Sequence, residues 1–310
     1  MIRIAVILPA YNEEQTISAT IEDFYNELPD AAIWVVNNRS TDETQKKAQE
    51  TLMNLGCKGG IINENRPGKG NAVRRAFLNI DADIYILADA DLTYPAAQVH
   101  KLLAPIINGE ADMVVGDRHS EGHYEAENKR ALHGFGNRLV RGLVNKLFKA
   151  QLADIMSGYR VFNRAFVKSY PILVEGFEIE TDMTLHALDK RFRIVEIPIN
   201  YRDRPEGSLS KLNTFRDGAR VLSTIGNILR YYRPLVFFGG AALIFAIIGI
   251  VAGVPVIDEW VRERFISHIP LAILATGLEI VAIIFAAIGL ILDSITHQDK
   301  LNFERDHLSR

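Results

Sequence analysis

Asp89 and Asp91 stand one residue apart in "ILADADLTYP", residues 86–95, where an apolar run ends. Two carboxylates this close repel each other unless a cation joins them, and as hard oxygen donors they suit one Mg²⁺ or Mn²⁺ that also grips a diphosphate. A bare Asp-x-Asp is common by chance, so its weight comes from its neighbours. "NRPGKGNAVR" (65–74) is a Gly-Lys-Gly turn opening a helix. Backbone N–H groups at a helix start, together with Lys69, suit a phosphate. "PAYNEE" (9–14) and "NNRSTDET" (37–44) place polar groups after two other apolar runs; each alone reads as turn and cap chemistry. The chain has no G-x-x-x-x-G-K-[ST] loop, and no G-x-G-x-x-G follows the first run, which argues against a P-loop NTPase and a dinucleotide-binding dehydrogenase.

These residues need a frame, and the hydrophobic pattern supplies one. Residues 2–8, 32–36, 60–63, 83–88 and 112–116 read as strands. The opening "MIRIAVILPAYNEE" has too short an apolar run for a signal peptide and reads as the first strand. Ile17, Ile21, Phe24 and Leu28 recur at the spacing of a helix face, with Asn12 as its expected cap, and Val73, Phe77 and Ile80 mark a helix over 69–80. Pro95 opens a further helix. Strand and helix alternating in this way predict an α/β sheet with ligands at the carboxyl ends of its strands, where Asp89 and Asp91 fall.

The 310 residues carry a net charge of -3, which gives no argument for nucleic-acid binding. Cys57 is the only cysteine, so no internal disulfide forms, as suits a reducing compartment. Leu235 to Ile257 holds no charged residue, and Ile269 to Leu292 holds only Glu279. Each stretch is long enough to cross a hydrocarbon core of about 30 Å. Lys211, Arg216, Arg220, Arg230 and Arg233 precede the first span, and Lys300, Arg305 and Arg310 follow the second. The positive-inside rule therefore places both termini and the soluble domain in the cytoplasm. Glu279 is expected to face protein, through either Gly249 and Gly253 of the first span or another subunit of a homo-oligomer. Residues 128–150 lack an acid, carry six Lys and Arg, and set Leu132, Phe135, Leu139, Leu143 and Leu147 at helical spacing. Such a helix either lies on an anionic membrane or presents a solvated face over an ordinary core.

"ILPAYNEE", "VVNNRSTDET", "RPGKGNAVR", "LADADLTYP" and "SGYRVF", in this order, resemble a family 2 glycosyltransferase of the GT-A fold. With "VVGDRHSEG", the basic helix, "RPEGSLSKL" and the terminal hairpin, the chain resembles the polyprenyl-phosphate glycosyltransferases, the group of dolichol-phosphate mannose synthase and bacterial undecaprenyl-phosphate sugar transferases. The resemblance implies an α/β fold with a nucleotide-sugar-binding, Rossmann-like mixed sheet at 1–206. An amphipathic juxtamembrane helix at 207–234, spans at 235–257 and 269–292 and a cytoplasmic tail at 293–310 follow. It implies an inverting, metal-dependent transfer from a nucleotide-diphosphate sugar to a polyprenyl phosphate at the inner membrane. Pro9, Tyr11, Glu13 and Asn38 then resemble the nucleoside-binding positions, Lys69 the diphosphate-side lysine, and Asp89 and Asp91 the ligands of Mg²⁺ or Mn²⁺. Arg118 and Arg130 resemble the arginines that hold the acceptor phosphate, and Ser210 and Lys211 a pair near the donor. Asp154, in "ADIMSGYR", is a general base, a sugar-hydroxyl ligand, or a structural carboxylate that orders its loop with Arg160.

One departure stands out. The family usually has consecutive aspartates where this chain has Asn37 and Asn38. An amide donates as well as accepts, so the base contact changes character, with uridine favoured over guanosine. A processive polysaccharide synthase would carry Q-x-x-R-W, but neither Trp34 nor Trp260 follows an arginine. A non-catalytic membrane scaffold fits poorly with retention of both aspartates and both candidate phosphate arginines.

Overall fold

The computed structural model describes residues 2–119, 131–176, 178–201 and 214–308, and the chain divides into two compact units, Met1–Leu212 and Asn213–Arg310. In the first unit the elements β1 (Ile4–Ala10), α1 (Ile17–Glu27), β2 (Ala32–Asn37), α2 (Thr44–Asn54), β3 (Lys58–Asn63), α3 (Lys69–Asn79) and β4 (Ile84–Leu87) alternate as the pattern predicts. A 3₁₀ turn, Ala96–Gln98, follows Pro95 and leads into α4 (Val99–Ile107). Then come β5 (Met113–Asp117), α5 (Ala131–Phe148), β6 (Arg160–Asn163), α6 (Arg164–Ser169), α7 (Ile179–Asp189) and β7 (Ile194–Pro198).

The strands form one sheet in the order β3-β2-β1-β4-β6-β5-β7. All run parallel except β6, which is antiparallel to both β4 and β5. That reversal matters for the site. It brings the residues that precede β6 to the same edge as the carboxyl ends of β4 and β5. Strand positions Val6, Leu8, Ile33, Val35, Ile84 and Ile86 are buried against Ile17, Ile21 and Phe24 of α1 and Val99, Leu102 and Leu103 of α4.

Some local expectations change. Asn12 does not cap α1: the cap position is Thr16, and Asn12 takes a left-handed φ of 56° with its Oδ1 accepting from Thr41 N–H at 2.8 Å. Strands β6 and β7 carry Arg160 and Glu196, polar residues that mask them as strands in the sequence. On α5, the buried positions are Val140 and Val144, while Leu139 of the expected stripe stays 43% exposed. Leu143 and Leu147 of that stripe are half-buried, and the side chains of Leu132 and Phe135 lie outside those described.

The second unit contains α8 (Thr214–Tyr232), α9 (Pro234–Glu263) and α10 (Ile269–Leu308). Helices α9 and α10 are long and apolar enough to cross a membrane. Small residues line much of their mutual seam, with Ala242 and Gly249 of α9 and Ala275 and Ala282 of α10 buried, and Phe238 and Phe245 meet Phe285 across it. Gly249 lies against Glu279, whose Oε1 a Cβ at 249 would approach to 2.6 Å. Glu279 thus faces the hairpin partner. Isoleucine, leucine and valine side chains such as Leu243, Ile247, Ile273 and Ile283 point outward, the reverse of a soluble helix pair. The expected tail beyond 292 is a continuation of α10.

Candidate active site

Five loops meet at the carboxyl edge of the sheet, and hydrogen bonds join them into one surface. Ser40 Oγ accepts from Asn12 N–H at 3.1 Å, joining the β1 and β2 loops. Asn38 lies beyond β2, 6% exposed, and its side chain grips the 64–68 turn. The amide Nδ2 donates to Arg66 O at 2.6 Å and to Glu64 O at 3.3 Å, while Oδ1 accepts from Gly68 N–H at 2.8 Å. Asn37 behaves similarly, donating to Gln45 Oε1 and Asn63 Oδ1, both at 2.9 Å. Asp42 accepts from Thr44 N–H at 3.0 Å and from Glu14 N–H, the turn role expected of it. The α1 side chains Thr16 and Thr20 donate to Ala90 O at 2.8 and 3.2 Å, which fixes the backbone between Asp89 and Asp91.

The Gly-Lys-Gly turn is directed inward. Gly68 has a φ of +115°, and Gly70 N–H donates to Glu175 O at 2.9 Å; a Cβ at either glycine would overlap the 174–175 backbone. The glycines are thus required by a close chain crossing. Lys69 is buried, with its Nζ between Asp89 Oδ1 and Glu180 Oε1. Burial alone would lower its pKa, but Asp89 and Glu180 outweigh that and hold the ammonium charged, above the ordinary lysine range. Gly158 closes the other side. A Cβ there would stand 2.9 Å from Asp89 Oδ2 and 3.0 Å from Lys69 Nζ, and Gly158 N–H donates to Tyr94 OH at 2.9 Å. Asp91 is 4% exposed and accepts from Thr93 N–H at 3.2 Å.

The donor set fits a hard divalent ion in part. Asp89 gives Oδ1 to Lys69, but no hydrogen bond reaches its Oδ2 among the described residues, and Gly158 leaves that atom uncovered where a side chain would fill the space. Among the described residues no group of three or more His, Cys, Asp or Glu side chains is placed to hold a metal. The protein therefore offers Asp89 and Asp91, and further oxygens have to come from a ligand.

On the far side of β6, Arg118 and Asp154 form a bidentate pair. Arg118 Nε donates to Asp154 Oδ2 at 2.7 Å and Nη2 donates to Oδ1 at 3.0 Å. Asp154 is 2% exposed. Burial works against its charge, but the Arg118 hydrogen bonds and charge prevail and hold the carboxyl below its ordinary range. The expected partner, Arg160, makes no direct hydrogen bond to Asp154 but feels its charge: fully buried, it donates to Ser157 O, Ile155 O and Thr184 Oγ1 at 2.8 to 2.9 Å and orders the loop through its carbonyls. Glu196 of β7 accepts from Ala153 and Asp154 N–H at 2.7 and 2.8 Å. From α5, Arg141 donates to Ala153 O at 2.8 Å and Asn145 to Leu152 O at 2.9 Å. The Asp154 loop is thus held from both β7 and α5.

Of the sequence candidates, Asp89 and Lys69 meet in one ion pair, Asp91 is buried two residues further along the same loop, and Asp154 and Arg118 pair along the same edge. Pro9 is the next-to-last residue of β1, and Tyr11 just beyond the strand is 60% exposed. Glu13 receives Thr16 Oγ1 on its own Oε2 at 3.1 Å. Arg130, Ser210 and Lys211 lie outside the described residues. Glu180 and Glu196 are the residues that sequence reasoning missed. Each is an ordinary acid in its local segment, and only the fold brings it to the site.

The model of the family described as Glycosyl transferase family 2 matches residues 5–170. A glycosyltransferase of Haloferax volcanii, AglJ, is 29% identical over 308 residues, covering 99% of this chain and 96% of that protein. A dolichyl-phosphate hexose transferase of the same organism is 29% identical over 222 residues, 72% of this chain and 92% of its own. Among solved structures, the glucosyl-3-phosphoglycerate synthase of Mycobacterium tuberculosis in complex with Mn²⁺, uridine diphosphate and phosphoglyceric acid superposes with a TM-score of 0.57 at 23% identity, covering 74% of this chain and 78% of that one. That likeness establishes a shared GT-A-like fold.

Proposed function

The chain belongs to glycosyl transferase family 2, and from that premise we propose that it moves a sugar from a nucleotide-diphosphate sugar to a polyprenyl phosphate, with inversion, at the cytoplasmic face of the inner membrane. One observation carries this reading: the acidic pair after β4 and the Arg118–Asp154 pair after β5 share the carboxyl edge, separated only by the reversed strand β6. A carboxylate site for the leaving diphosphate and a guanidinium for an incoming phosphate are thus set side by side.

The nucleoside lies over the loops after β1 and β2, near Tyr11 and Glu13. Asn38 serves it indirectly, by fixing the turn that presents Lys69. The divalent ion, Mg²⁺ or Mn²⁺, neutralises the diphosphate when bound. Asp89 and Asp91 hold that ion, and Lys69 holds Asp89. An oxygen of the lipid phosphate attacks the anomeric carbon as the bond to the diphosphate breaks, and the nucleoside diphosphate leaves. A phosphate monoester is already anionic at neutral pH, so the step needs positive charge and alignment more than a base. Asp154 therefore acts as a positioning residue: its grip on Nε and Nη2 fixes the plane of Arg118, whose fork matches phosphate oxygens. Arg130, Ser210 and Lys211 complete the acceptor and donor contacts in this reading. The partly exposed Leu139 and the basic residues of α5 dock on the anionic membrane surface, and α9 and α10 span the bilayer where the polyprenyl tail resides.

The kinetic split at Arg118 tests the acceptor assignment. Arg118→Ala should cut transfer to lipid phosphate at least a hundredfold with nearly unchanged nucleotide binding, and Arg118→Lys should rescue little, because an ammonium lacks the fork. If a soluble short-chain acceptor in detergent is used equally well by variant and parent, Arg118 is only a membrane contact.

A further inference from the structure

Lys69 matches a diphosphate-side lysine in the family pattern, yet its ammonium is buried between Asp89 and Glu180. We propose that Glu180, in the first turn of α7, is a positioning residue that sets the charge of the carboxylate site by sharing Lys69 with Asp89. This rests on the reading of Asp89 and Asp91 as a divalent-ion site. Glu180 is itself 5% exposed and its Oε1 stands 2.5 Å from Nζ. Asp89 and Glu180 against their one shared ammonium leave a formal charge of -1, which favours a cation, and the buried Arg160 guanidinium also acts on Glu180. Without Glu180 the same groups would be neutral, and Lys69 would lean wholly on Asp89, competing for the carboxylate that the ion needs.

The geometry makes this sharing rigid. Gly158 stands over Lys69 and Asp89 with no room for a Cβ, and Tyr94 OH fixes Gly158 from below. Gly70 N–H is tied to Glu175 O, four residues before the α7 start, so the helix bearing Glu180 and the helix bearing Lys69 hold a common register. Lys69 cannot swing to a new partner within this packing.

The test is a charge-compensation cycle on the full chain in detergent, read by Mn²⁺ binding with electron paramagnetic resonance, with and without UDP. Glu180→Gln should weaken Mn²⁺ binding by on the order of tenfold or more, because one unit of charge near a divalent ion is removed at low effective dielectric. Lys69→Met in the Glu180→Gln background returns the formal charge to the parent's -1 and should restore binding to within about threefold of the parent. Removing both members of a buried pair also spares the fold the cost of an unpaired charge, so the double variant decides the matter even if Glu180→Gln does not fold. Equal Mn²⁺ affinity in parent and Glu180→Gln, or a double variant that binds no better than the single one, overturns the role of Glu180 while leaving the metal reading intact. A parent that binds no Mn²⁺ under either condition overturns the metal reading itself, and this inference with it.

Discussion

Asn38→Asp exchanges two atoms of nearly equal size and should nevertheless disrupt the nucleotide side of the site. The Nδ2 group lost in the exchange donates to Arg66 O at 2.6 Å and to Glu64 O at 3.3 Å. An ionised carboxylate there would face two carbonyl oxygens in a buried position. The new carboxyl has one escape, which is to stay protonated and donate to Arg66 O. From a reference pKa near 3.9, keeping it protonated at pH 7 costs about 4 kcal/mol, which caps the destabilisation, and the cost falls by about 1.4 kcal/mol per pH unit. The loss of satisfied partners alone is worth about 1 to 3 kcal/mol, so the expected destabilisation is about 2 to 4 kcal/mol at pH 7. The sign follows from linkage: the folded pKa is raised above the unfolded value, so the penalty is full above the folded pKa and disappears as pH falls below the unfolded one. Chemical denaturation of the variant against the parent should therefore show a gap at pH 7 that shrinks by about 1 to 2 kcal/mol at pH 5, and nucleotide binding should recover in parallel. Asn38→Ala should show a smaller loss that does not depend on pH. An Asn38→Asp protein as stable as the parent at pH 7, with the same nucleotide affinity at both pH values, would refute the assignment of Asn38 to the turn.

Asp154→Asn should cost about 3 kcal/mol of stability, since Arg118 is left buried without its counter-ion. Asp154 is held below the ordinary carboxyl range, so the stability it contributes is present above its unfolded pKa and is lost as pH falls through the folded one. The acid limb of a denaturation series below about pH 4 should accordingly be shallower in the variant than in the parent. Turnover of Asp154→Asn should be low at every pH from 5 to 8, with the parent's acid limb unchanged in shape; loss of that limb in the variant would make Asp154 a general base after all. In the hairpin, Gly249→Leu must displace Glu279 and should lower thermal stability in detergent. Glu279→Leu should be tolerated better, because it removes a buried carboxyl oxygen that has no hydrogen-bond partner among the described residues. The reverse order would show that the Gly249–Glu279 contact holds the pair together.

The sheet was legible because β1 to β5 are apolar runs bounded by turns, and a period of two or continuous burial leaves a plain mark. Strands β6 and β7 left none. Arg160 opens β6 fully buried, an arrangement stabilised by carbonyls from Ile155 and Ser157, a hydroxyl from α7 and the charges of Glu180 and Asp154. Glu196 sits mid-strand in β7 because it accepts backbone N–H groups from the Asp154 loop. At the site, the residue types were visible and their pairings were not. Lys69 looked like a phosphate ligand because the acid that engages it, Glu180, lies more than a hundred residues away in the chain. Asp154 was paired with Arg160 by proximity in sequence, whereas the fold gives it Arg118 from the end of β5. The hairpin was read from its uncharged length, but the reach of α10 to Leu308 was not, since the polar residues after 292 continue the helix without any apolar signal.

The central claim, metal-assisted transfer of a sugar to a lipid phosphate, is tested most directly by incubating the purified full chain with undecaprenyl phosphate and a panel of labelled UDP- and GDP-sugars. The account predicts a labelled lipid product from one or a few donors, lost in EDTA, restored by Mg²⁺ or Mn²⁺, and reduced at least a hundredfold by Asp91→Asn in a chain that still folds. Undiminished transfer in EDTA, or no lipid-linked product from any donor while the parent binds nucleotide, would contradict it.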